Sequence, residues 1–134
     1  MIDPRFVAGI QFSESNIVEI EKALGRHLPQ DYQAFVKAYG GAFVGGAIDG
    51  SEELPILNFF DAGSDRGVIA VLDRYEDLKG DGVLPFARDE LGNIYAQNPS
   101  DEIFYINYYG GSTSAKRVAD NFSDFLSRIV VIDD

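Results

Sequence analysis

The segment from Phe12 to Gly41, FSESNIVEIEKALGRHLPQDYQAFVKAYGG, constrains the fold more than any other part of the chain. It reads as two short amphipathic helices joined by a Gly–Pro corner and closed by a glycine pair. Ser13 suits an N-cap, because its hydroxyl can accept a bond from a backbone N–H that the first turn leaves without a partner. Phe12 and Ile17 stand at the spacing of a hydrophobic staple. Ile17, Ile20 and Leu24 then share one helical face, and Gly25 supplies the left-handed residue that ends the helix. Pro29 suits the first turn of the second helix, where its missing N–H costs nothing. Tyr32, Phe35, Val36 and Tyr39 recur at i, i+3, i+4 and i+7, a wide aromatic stripe that needs a core to face. Gly40 and Gly41 release the chain into a different structure.

The rest of the chain supplies that core. Its 134 residues fit one domain spanning 1–134, and 46% of them are hydrophobic, including ten Phe and seven Tyr, so burial needs no covalent staple. There is no cysteine, which excludes disulfides, thiolate zinc sites and cysteine nucleophiles. The opening MIDPRFVAGIQF carries Asp3 and no long apolar run, so it does not read as a signal peptide, and no segment approaches the ~20 apolar residues of a membrane span. A cytoplasmic location is the expectation. Eleven basic residues against 22 acidic ones leave a net charge of −11. Phosphate backbones and anionic membranes call for the opposite sign, so neither nucleic acid nor membrane is expected as a partner. An acidic surface instead accelerates and orients encounter with a basic protein.

After the glycine pair, Ala42–Ile48 and Leu54–Phe60 read as strands around an Asp49-Gly50-Ser51 turn. Val68, Val71, Leu72, Tyr75 and Leu78 recur at helical spacing, predicting a third helix over about residues 65–79 with Gly80 as its stop. Val83–Ala87 is a short apolar strand in which Pro85 signals an unpaired side or a bulge. Gly92–Asn98 and Glu102–Tyr109 are further strands joined by the turn residues 98–101. The second is apolar or aromatic on both alternating faces, as in the middle of a covered or rolled sheet. Residues 110–116 read as a polar loop. The chain closes with an amphipathic helix carrying Val118, Phe122, Phe125, Leu126 and Ile129 on one face, with Ala119 or Asp120 near its start. Runs of strands between segregated helices predict an α+β domain.

Several of these segments together resemble the SUKH superfamily, the group of the yeast cell-wall-synthesis regulator and many bacterial relatives. The opening is similar in Ile17-x-x-Ile20-Glu21-x-x-Leu24-Gly25-x-x-Leu28-Pro29-x-Asp31-Tyr32-x-x-Phe35 followed by Gly40-Gly41. The centre is similar in Leu84-Pro85-Phe86-Ala87-x-Asp89-x-x-Gly92-Asn93, and the last third in Ile103-Phe104-Tyr105-Ile106 and Val118-Ala119-Asp120-Asn121-Phe122-x-x-Phe125-Leu126. One departure is the lack of tryptophan, which family members often carry near the end of the second helix or in the next strand. The resemblance implies a central mixed or bent β-sheet flanked by about four α-helices. It also implies a role: bacterial relatives of this kind are similar to immunity proteins that neutralise polymorphic toxins, several of them nucleases with basic surfaces.

Weighed individually, the chemically suggestive residues favour plain roles. Asp89-Glu90-Leu91-Gly92-Asn93 offers two carboxylates and an amide to a hard cation, but it lacks the ligand alternation of a calcium loop and reads as a hairpin turn. Asp49, Asp61 and Asp65 are turn and cap formers. His27, the single histidine, has no nucleophile or orienting partner nominated nearby. Ser112-Thr113-Ser114 lacks the lysine and spacing of a phosphate-binding loop. Tyr105, Tyr108 and Tyr109 read as core residues whose hydroxyls reach the rim. No catalytic residue, metal ligand or cofactor is expected. The resemblance, taken with the acidic charge, implies a non-enzymatic protein-binding module, an immunity protein acting on a basic partner such as a cognate toxin domain. The alternatives are a regulatory scaffold for a cellular partner and a small hydrolase or metal-dependent enzyme. Asp61, Asp65, Asp89, Glu90, Asp101 and Glu102 are the candidate contact acids, with Tyr108 or Tyr109 as buried anchors.

Overall fold

Ser13 caps the first helix as its sequence requires. Its Oγ accepts from the Asn16 N–H at 3.2 Å while the Asn16 side chain accepts from the Ser13 N–H at 2.8 Å. This reciprocal pair opens α1 (Glu14–Leu24), and Gly25 closes it in the left-handed conformation at φ 74°. Pro29 stands at the N-cap of α2 (Gln30–Tyr39), one place before the first turn. The computed structural model from which these elements are drawn describes residues 3–63, 67–108 and 113–132. They continue as β1 (Phe43–Ile48), β2 (Pro55–Phe59), α3 (Val68–Arg74), α4 (Glu76–Gly80), β3 (Leu84–Arg88), β4 (Ile94–Gln97), β5 (Ile103–Asn107), β6 (Ser114–Ala119), α5 (Phe122–Ser127) and β7 (Ile129–Val131).

The architecture is α+β, with all seven strands in one sheet of order β6-β5-β4-β3-β2-β1-β7. Every neighbouring pair is antiparallel, so the sheet is not mixed. It is bent, and the reason lies in one connection. β6 and β7 form opposite edges, yet only residues 120–128 join them. A flat sheet of this width would span ~29 Å, at ~4.8 Å per strand spacing. The connection reaches only ~22 Å, since its helical part rises ~1.5 Å per residue. The sheet must therefore curl toward itself. Register shifts between Phe43 and Gly46 in β1 and between Pro85 and Ala87 in β3 supply local bends.

α5 lies on the core side of this curl. Phe122 and Phe125 are fully buried, their rings 5.2 and 5.0 Å from that of Phe86 on β3. Tyr32 and Phe35 of α2 meet Phe122 at 5.3 and 5.4 Å, and Phe35 meets Phe59 on β2 at 4.6 Å. The aromatic stripe of α2 thus finds the partner that its spacing called for. Arg5 ties the N-terminal segment to this layer, donating to the Leu126 carbonyl at 2.8 Å and the Ile129 carbonyl at 3.1 Å.

Three sequence expectations change. The predicted helix over about 65–79 is two helices, broken at Tyr75 (φ −116°, ψ 81°), with residues 65 and 66 outside the described set. The described helices accordingly number five rather than about four. The loop expected over 110–116 gives way from Ser114 to strand β6, which takes Val118 and Ala119 from the predicted closing helix. That helix is a short α5 capped by Asn121, whose side chain accepts from the Asp124 N–H at 2.8 Å. β6 lies at the sheet edge and is mostly exposed, so its sequence shows no apolar alternation from which to infer a strand.

Candidate functional site: a hairpin-rimmed groove

The β3–β4 hairpin is built on a buried carboxylate. Asp89 is 1% exposed and Asn93 2% exposed, although both lie in the turn. Asp89 Oδ1 accepts from the backbone N–H groups of Leu91 and Asn93, each at 2.9 Å. Its Oδ2 accepts from Asn93 Nδ2 at 3.1 Å and from the Tyr105 hydroxyl at 2.5 Å. Asn93 Oδ1 in turn accepts from the Tyr108 N–H at 2.8 Å. Burial raises the Tyr105 phenol above its ordinary range, reinforced by its hydrogen bond to the Asp89 carboxylate. The hydroxyl therefore stays a donor over the physiological range. Tyr108 stacks on Tyr75 with ring centroids 4.4 Å apart, and burial pushes its phenol up too.

This network fixes the hairpin tip, which carries the exposed pair Glu90 and Leu91. Glu90 forms one wall of a groove of about 540 Å³ whose other walls come from β1, β2 and the end of β7. Phe43 and Ile132 border it and remain 48% and 58% exposed. Its floor runs along Gly45 and Gly46 of β1. Gly45 has φ +61°, within the bulged stretch, and a Cβ on Gly46 would come within 2.3 Å of the Val130 carbonyl oxygen. β7 docks this closely on β1 because Gly46 has no side chain.

The residues singled out from sequence are thus distributed unevenly. Asp89, Glu90 and Tyr108 meet around one hairpin, but Asp89 is enclosed, so its carboxylate holds the turn and only Glu90 faces outward. Asp101, exposed at φ 71°, and Glu102 lie at the other end of β4. That strand is ~13 Å long at ~3.3 Å per residue. Glu102 is engaged by Arg117 at 2.8 Å. Asp61 lines a separate cleft with Ile10 and Asn16. Asp65 and Tyr109 lie outside the described residues. His27 is a solvent-facing side chain 3.3 Å from the Glu21 carboxylate. Among the described residues no three His, Asp or Glu side chains are grouped to hold a metal ion. Sequence reasoning missed Phe43, Ile132 and Leu91 as an exposed set. The available signal was the Gly45-Gly46 pair inside a strand, which marks a close backbone approach.

The model of the SMI1/KNR4 family (SUKH-1) matches residues 11–128, from the segment before α1 to the end of α5. The chain belongs to the SMI1/KNR4 (SUKH-1) family. No curated protein matches it. The four segments whose resemblance to SUKH proteins is described above all lie within the matched span. Membership in SUKH-1 fits a non-enzymatic role in immunity or regulation. Among the described residues no helix is long and apolar enough to cross a membrane.

Proposed function

We propose that this SUKH-1 protein is an immunity protein: a binding module that neutralises a cognate toxin by covering it, without turnover or cofactor. Family membership supplies the class of role. The observation that carries the choice of a basic toxin as partner is the charge left uncommitted on the surface. The chain carries −11 overall, and Glu52, Glu53, Glu76, Asp77, Asp81 and Glu90 are exposed with no ion pair among the described residues. Carboxylates paired within the fold add little to the external field, whereas these remain free to steer a cationic partner. Covering a basic toxin's substrate-binding surface then inhibits it sterically, with no chemical step.

The test is to express any toxin-like domain encoded by a neighbouring gene together with this protein. Rescue of growth and a stoichiometric complex on purification are the expected results. Association should slow at least tenfold between low salt and ~0.5 M salt, because screening shortens the reach of the field to a few ångströms. A stable cellular partner without any toxin protection would identify a regulatory scaffold instead.

A further inference from the structure

We propose that the groove between β1, β2, β7 and the β3–β4 hairpin receives the partner, taking a large apolar side chain flanked by a lysine or arginine. The inference rests on the reading above that the partner is a basic protein, and it adds which surface is used and which chemistry it recognises. Isolated exposed apolar residues are ordinary on any protein surface. Here Phe43 and Ile132 border one concavity at 48% and 58% exposure, and Leu91, at 61%, neighbours the Glu90 wall. Gly45 brings no side chain to the lining, where a Cβ would come within 3.3 Å of the Phe43 ring, and about 540 Å³ accommodates an aromatic or aliphatic anchor with its neighbours.

Charge selects the occupant. Among the described residues Glu90 is the one charged side chain lining the groove; it is exposed and forms no ion pair. Among the described residues no Lys, Arg or His lines the groove to neutralise it. A second copy of the chain is a poor occupant, since each copy brings a further −11 and the two repel. A basic segment with an apolar anchor satisfies both the wall and the floor. Asp89 acts here as a positioning residue: its four accepted hydrogen bonds hold the hairpin, and so set Glu90 before any partner arrives. A pre-set wall lowers the ordering cost of binding.

The experiment pans the full chain against a displayed random 12-residue peptide library, then maps the enriched peptides by amide shift perturbation. Enriched sequences should combine Arg or Lys with Leu, Ile or an aromatic residue, and should shift Phe43, Gly45, Gly46 and Glu90. Glu90→Lys and Phe43→Ser should each weaken them tenfold or more, while Glu76→Lys, away from the groove, should leave affinity within threefold. Circular dichroism checks that each variant keeps its fold, and Glu90→Lys on an exposed tip gives the decisive answer if Phe43→Ser unfolds. Peptides mapping elsewhere, peptides without basic residues, no enrichment, or self-association through the groove in sedimentation would each overturn the assignment. The two proposals separate cleanly. A toxin neutralised equally by wild type and Glu90→Lys sinks the groove and keeps immunity; groove-seated basic peptides without any toxin protection do the reverse.

Discussion

At position 89 a carboxylate is buried among four donors, while its neighbour at 90 points to solvent. The two residues look equivalent in sequence. They differ because the Asp side chain is short enough to fold back on the N–H groups two and four residues ahead, closing the turn from within. Glu90 has no such geometry and projects outward. Asp89→Ala should therefore cost about 3 kcal/mol in urea denaturation, because it strands buried donors. Glu90→Ala should stay within about 0.5 kcal/mol. Equal losses at the two positions would contradict this account. The Asp-x-x-x-Asn pattern was legible as a turn. Its dependence on Tyr105, sixteen residues away on the second strand that follows, was not, because sequence spacing does not report cross-strand neighbours.

The helices whose limits were readable from sequence are those whose apolar residues face one way. α1 and α2 carry unbroken stripes with matching caps, and their predicted limits are close to those observed. β6 and β7 were invisible for a shared reason: both are edge strands, one mostly exposed and the other three residues long. Their strand character comes from β5 and β1, which supply the hydrogen-bonding edge. The break at Tyr75 was hidden because α3 and α4 keep apolar residues at helical spacing across it. The β1–β7 junction can be tested directly. Gly46→Ala places a methyl against the Val130 carbonyl at 2.3 Å, so it should destabilise the fold by about 2–3 kcal/mol. The loss should show first as lowered amide protection at Val130 and Ile132, whose N–H groups face β1, in hydrogen exchange, with the α1 and α2 amides protected until global unfolding.

For the molecule as a whole, two collective properties make predictions. Burial holds the phenols of Tyr32, Tyr95, Tyr105 and Tyr108 above their ordinary value of 10.0. An acid whose folded pKa is raised contributes stability that is complete below its unfolded value and is lost as pH climbs from there toward the folded one. On the alkaline side the protein should thus hold its stability up to about pH 10 and lose it progressively above. Absorbance at 295 nm should show these four tyrosines ionising late, together with loss of structure; independent early ionisation of all seven would contradict their burial. The second property is the surplus of eleven negative charges, fixed by composition whatever the fold. That charge, the helical corner with its caps, the α+β class and the SUKH resemblance are legible in the residues alone, because each depends on residue identity or on spacing along one element. Packing sets which of two adjacent acids faces solvent, makes the sheet antiparallel throughout, and brings Phe43, Ile132 and Glu90 to one groove. Those facts depend on which strands become neighbours, and cross-strand pairing is a tertiary property that spacing along one element does not report; the nine-residue link between the two sheet edges adds the curl.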